Sequence, residues 1–264
     1  MILDIYQVDA FTDKTFGGNP AAVCPLEAWL PDMQLQNIAM ENNLSETAFF
    51  IPSQSSDADF DLRWFTPSCE VDLCGHATLA TSFIIFDQLK LDKPTIRFST
   101  RSGILTIEQT EYGLKMNLPV WDYKETDIPL LVTEALGAKP TALYKGNDWI
   151  ALFDDEQTVR DLEPDMDKLL QIKDMRGILP TAKSNGKYDF ISRFFGPAVG
   201  VPEDPVTGSA HCILTPFWAE RLNKTTLHAY QASARGGALF CELKGDRVHI
   251  TGQAVLYMTG QINV

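Results

Sequence analysis

RWFTPSCEVDLCGHATLA, residues 63–80, has a counterpart in RFFGPAVGVPEDPVTGSAHC, residues 193–212. Each opens on an Arg-aromatic-Phe-x-Pro element, crosses an acidic loop and ends in a glycine turn that leads into an apolar helix. Aligned on that element, Gly75-His76-Ala77 falls on Gly208-Ser209-Ala210, with three extra residues in the second loop. Further matches keep the same order: FSTRSGILTIE (98–108) with ASARGGALFCE (232–242), GNPAAV (18–23) with GNDWIA (146–151), LPDM (30–33) with EPDM (163–166), and IPS (51–53) with LPT (179–181). A long period met only twice denotes a duplicated domain, not a repeat array.

The boundary falls in the proline-bounded stretch NLPVWDYKETDIP (117–129), which predicts one domain over 1–120 and a second over 121–264. Within each half the hydrophobic pattern gives a strand pair, a helix, more short strands, one long apolar helix and a closing hairpin. The first long helix is predicted over HATLATSFIIFDQLK, residues 76–90. One apolar helix among many short strands predicts an α+β fold: two similar domains, each a mostly antiparallel, barrel-like curled sheet around a central helix. A parallel βαβ layout is not expected, because the strands arrive as hairpins and meanders. Neither a G-x-G-x-x-G turn nor a Walker loop is present, so nucleotide chemistry lacks its usual signature.

The net charge of −13 argues against nucleic acid and against an anionic membrane surface, since both need a basic face. The apolar run around ATLATSFIIF is too short to cross a bilayer. The five cysteines are Cys24, Cys69, Cys74, Cys212 and Cys241, an odd number without C-x-x-C or zinc spacing. A reduced, cytoplasmic protein is expected, and no spacing calls for a metal.

Both glycine turns enter the N-terminus of an apolar helix, where unpaired N–H groups and a partial positive charge collect. Glycine lets a ligand approach that backbone. Two such ends facing one cleft would grip a small carboxylate without any arginine. Taken singly, Thr207-Gly208-Ser209 reads as a capped helix start; the duplication favours the ligand. Side chains that differ between the halves are candidates for chemistry: His76 opposite Ser209, and Cys74 opposite Thr207. ENNLSETAFF (41–50) is longer than KDMRGILP (173–180), so Ser45-Glu46-Thr47 has no expected counterpart. Shelter by Leu44 and Phe49 would tune Glu46 for acid/base work. His211 reads as a packed helix residue.

GNPAAV, NLSETAFF, FTPSCEVDLCGHATLA and EDPVTGSAH resemble the PhzF-like phenazine-biosynthesis isomerases and, more broadly, enzymes of the diaminopimelate-epimerase fold. The resemblance runs over almost the whole chain. It implies an active site between two domains, cofactor-independent proton transfer on a small carboxylate-bearing substrate, and a homodimer. It further implies that Glu46 moves the proton, that His76 and Asp204 orient the substrate and assist, and that Gly75, Gly208 and Ser209 hold its carboxylate. Asn19, Ser45 and the Arg235-Gly236-Gly237 turn are second candidates for lining the site, Gly236 among them.

Cys74 departs from the phenazine-pathway members, which carry a small residue there, and approaches the two-cysteine epimerases and racemases. The matching region Asp204-Pro205-Val206-Thr207 holds no second thiol, which leaves Cys74 with Asp204 as an alternative acid/base pair. A thiol at a helix N-terminus is expected to have a lowered pKa. A small-acid-binding protein of the same fold without turnover is the third reading.

Overall fold

The computed structural model describes all residues from Met1 to Val264. The chain divides into two compact units, Met1–Asn117 with Thr251–Val264, and Leu118–Ile250. The first begins with β1 (Ile2–Ala10), β2 (Asn19–Pro25), α1 (Asp32–Asn42), β3 (Glu46–Pro52) and β4 (Phe60–Phe65). It continues through β5 (Glu70–Val71), α2 (Gly75–Phe83), β6 (Thr95–Thr100), β7 (Gly103–Thr110) and β8 (Gly113–Pro119). The second opens with β9 (Tyr123–Thr126), α3 (Leu130–Leu136), β10 (Ala142–Gly146), β11 (Trp149–Leu152), α4 (Glu156–Asp161) and α5 (Met166–Leu169). It closes with β12 (Ile178–Lys183), β13 (Phe190–Ser192), α6 (His211–Leu222), β14 (Thr226–Gln231), β15 (Gly237–Lys244) and β16 (Arg247–Gly252). The last strand, β17 (Ala254–Asn263), pairs antiparallel with β1 from Ile2↔Asn263 to Ala10↔Ala254.

Within the two units the strands follow the same plan. In the first, the order β17-β1-β2-β3-β4-β6-β7 is antiparallel at every step except β2/β3 and β4/β6, which are parallel. In the second, β9-β10-β11-β12-β13-β14-β15 is antiparallel except at β11/β12 and β13/β14. The fold is thus mixed α+β and built twice. Two expectations change. Parallel βαβ steps do occur, since α1 carries the chain from β2 to β3 and α2 from β4 to β6. Residues 251–264 lie with the first half of the chain, because β17 takes beside β1 the place that β9 takes beside β10.

The register also corrects one sequence match. Phe65 pairs with Thr47, and its counterpart Phe195 bridges to Ile178. Thr47 therefore corresponds to Ile178, Ile51 to Ala182, and the likeness of IPS to LPT is three residues out of step. By the same register Ser45-Glu46 does have a counterpart, Arg176-Gly177.

α2 is buried from His76 through Ser82, nearly all round, as a helix within a curled sheet must be. Its small residues let the surrounding strands come close. Three hydroxyls would be costly there without partners, and each bonds back to the preceding turn: Thr78 to Cys74 O at 2.6 Å, Thr81 to Ala77 O at 2.8 Å, and Ser82 to Thr78 O at 2.8 Å. The helix does not run on regularly to residue 90. After Phe83 it widens into a π-helical turn over Ile84–Gln88, with Leu89 N–H bonded to Ile84 O at 3.0 Å. α1 covers the other face of the first sheet, setting Leu35, Ile38 and Ala39 against Cys24, Phe49 and Phe65. In the second unit a core of Val132, Leu143, Trp149, Ile178 and Phe195 forms under α3, α4 and α5. α6 there buries His211 through Thr215, then Phe217 and Trp218.

Candidate active site

Topology gathers the first group of side chains. β2 and β3 run parallel with Ala21 beside Glu46, so Asn19 and Glu46 sit at the same end of the sheet. β4 runs back toward that end, and the loop after it delivers Cys74, Gly75 and His76 at the start of α2. His76 Nε2 lies 2.9 Å from Glu46 Oε2. Asn19 Nδ2 lies 3.2 Å from His76 Nδ1, and Cys74 Sγ lies 3.6 Å from the same nitrogen. Asn19, Cys74 and His76 are buried, while the Glu46 side chain keeps 15% of its surface. Ser45 adjoins Glu46 at the start of β3.

Burial alone would depress the His76 imidazole. The Cys74 sulfur and the Glu46 carboxylate outweigh that and hold it well above the usual histidine range. Cys74 itself is pushed up to about 11, first by burial and then by the Glu46 charge. This corrects the expected low-pKa thiol: the helix N-terminus does not compensate full desolvation. Cys74 is a thiol at neutral pH, so Glu46 is the charge that acts on His76. The carboxylate, thiol and imidazole donor atoms lie within 4.8 Å of one another, close enough to share a metal ion. The cysteine and histidine spacings alone had not pointed to it.

The second group belongs to the loop before α6. Asp204 N–H bonds to Phe194 O at 3.1 Å, and Thr207 Oγ1 donates to Asp204 Oδ2. Gln231, fully buried at the end of β14, latches this loop: it accepts from Thr207 N–H at 2.8 Å and donates to Asp204 O at 2.8 Å. α6 begins at His211, so Gly208 and Ser209 form the turn ahead of it and not its first residues. His211 Nδ1–H donates to Thr207 O at 2.9 Å; fully buried, that ring is held down to about 4 by desolvation. Gly236 sits in a separate turn at φ +65°, its N–H bonded to Ser233 Oγ at 3.0 Å. Ser233 Oγ in turn donates to Pro205 O at 2.8 Å, which ties the turn to the loop.

Sequence reasoning missed three residues here: Gln231, Arg176 and Asp148. Arg176 forks onto the fully buried Asp148, with Nε–Oδ1 at 2.8 Å, and its Nη2 lies 3.4 Å from Ser209 Oγ. The available signal was the β-register that aligns Arg176-Gly177 with Ser45-Glu46, and no spacing in the sequence displays it.

Residues 8–260 match the family described as phenazine biosynthesis-like protein. An uncharacterized isomerase of Pseudomonas aeruginosa is 50% identical over 264 residues, all of both chains. The crystal structure of a PhzF-family phenazine biosynthesis protein from Enterococcus faecalis superposes with a TM-score of 0.96 at 44% identity, covering 100% of each chain. A hydroxyproline epimerase from Agrobacterium vitis shares the fold alone, at a TM-score of 0.61 and 11% identity over 99% of this chain and 92% of that one.

Proposed function

Since the chain belongs to the phenazine biosynthesis-like (PhzC-PhzF) family, we propose that it is an isomerase that shifts a proton within a small carboxylate-bearing metabolite without a cofactor. Glu46 takes a proton from a carbon next to an activating group, and the resulting anion delocalises. Glu46, or His76 beside it, returns a proton to a second carbon. The reaction is redox-neutral and consumes no co-reactant. The observation that carries this reading is the buried Glu46–His76 contact of 2.9 Å at the start of a buried helix. There the imidazolium and the first N–H groups of α2 stabilise negative charge as it develops.

Gly75, Gly208 and Ser209 hold the substrate carboxylate, and Asp204, braced by Thr207, orients the substrate. Cys74 is too basic to act as a resting thiolate, which favours Glu46 over a Cys74–Asp204 epimerase. A homodimer in the cytoplasm is part of the same proposal, and sedimentation tests the first half of it. No helix is long and apolar enough to cross a membrane.

The test is incubation in deuterium oxide with a panel of amino and hydroxy-aromatic acids. Carbon-bound deuterium that disappears in Glu46→Gln and persists in Cys74→Ala is the expected result. The reverse pattern would transfer the chemistry to the thiol. Stabilisation by an acid without any exchange would make the protein a binder.

A further inference from the structure

We infer that Arg176 is a substrate-binding residue that recognises the substrate carboxylate. The inference deepens the proposed function and rests on it. Its first support is geometric. Asp148, fully buried, takes the Nε/Nη2 side of the guanidinium. The Trp121 and Phe194 rings lie against the group, with centroids 5.6 and 5.5 Å from Cζ. The terminal Nη edge is left beside Ser209 Oγ. The Arg176 side chain keeps 39% of its surface, so the guanidinium is open to a solute. With Nε and Nη2 engaged by Asp148 and Ser209, Nη1 remains to donate to a carboxylate, and the Ser209 hydroxyl, which accepts from Nη2, supplies a second donor.

The second support is the duplication. In the first unit the side chain at the helix start, His76, meets the residue that opens β3, Glu46. In the second, the corresponding Ser209 meets Arg176. Gly177, at the position of Glu46, has no room for a side chain, because a Cβ there would stand 2.5 Å from the Phe194 ring. The two helix starts thus meet opposite charges from adjacent register positions, a base in the first unit and a cation in the second. In a protein of net charge −13, a local cation also offsets the repulsion of an anionic substrate.

The experiment measures dissociation constants of benzoate and trans-cinnamate, with benzamide and cinnamamide as neutral counterparts, by titration calorimetry. Wild type should bind the acids and not the amides. Arg176→Gln should weaken acid binding roughly ten- to a hundredfold, the scale of a charge-assisted hydrogen bond. Arg176→Lys should recover part of it, and Glu46→Gln should bind like wild type while losing deuterium exchange. Because Arg176→Gln strands Asp148, the double variant Asp148→Asn/Arg176→Gln is measured beside it. In wild type, benzoate should protect Arg176 from phenylglyoxal in peptide mapping. Equal acid affinity in wild type and both Arg176→Gln variants, or unprotected Arg176, overturns the inference. So does failure of wild type to bind any of these acids, while the proposed function is decided separately by the deuterium exchange.

Discussion

Glu46 and His76 hold opposite charges in a nearly dry place, and their coupling sets a pH dependence. The folded-state pKa of His76 is raised above the unfolded value of about 6.5. The stability it contributes is therefore complete below that value and drains away as pH rises through the raised pKa. Glu46→Gln should lower stability by roughly 1.5–3 kcal/mol at pH 6, the range for hydrogen bonds to charged groups. The gap between wild type and variant should narrow toward pH 9.5 in thermal melts; a gap independent of pH would remove the ion pair from the account. Cys74 gives a second test at this scale. Buried and raised to about 11, it should resist iodoacetamide at pH 8, while the exposed Cys69 is alkylated first. Mass mapping that found Cys74 modified as fast as Cys69 would restore the thiolate base.

Among the elements, α2 and α6 do the same structural task with different chemistry at their first turn. Leu79 on α2 is fully buried, and its truncation to Ala should cost about 2–5 kcal/mol in urea unfolding, as for other fully packed leucines. α6 carries an acid-sensitive group in place of a catalytic one. His211 is buried and neutral with its pKa near 4, below the unfolded value, so the unfolded chain binds the proton more readily. Stability should be full above pH 6.5 and fall as pH drops toward 4, by at most about 3 kcal/mol at roughly 1.4 kcal/mol per unit. His211→Met loses the bond to Thr207 O and should be weaker than wild type at pH 7. Urea midpoints should then converge as pH falls to 4.5. Parallel decline of both proteins would assign acid sensitivity elsewhere.

For the whole molecule, the duplication was legible because the residues that carry it, Arg63/Arg193 and Phe65/Phe195, keep a constant spacing along the chain. Glu46, Cys74 and His76 were legible as residue types at a helix start and a strand start. Arg176 was not, because its equivalence to Ser45 is written in hydrogen-bond register, and a three-residue slip in the IPS/LPT match hid it. The placement of β17 was hidden for a related reason: period-2 alternation reports that a strand exists and not which strand it joins. β17 covers one edge of β1 along the strand's full length, and β2 covers the other edge beside Tyr6–Ala10. A chain ending at Gln253 leaves the first edge of β1 open. The buried residues Ile5, Val8 and Ala10 then stand in a strand paired on one side only. Hydrogen exchange in that truncated protein should show protection lost from β1 and β2, with α6 and β14 still protected. Loss centred on β14 and β15 instead would mean that the final strand stabilises the half of the chain to which sequence order assigned it.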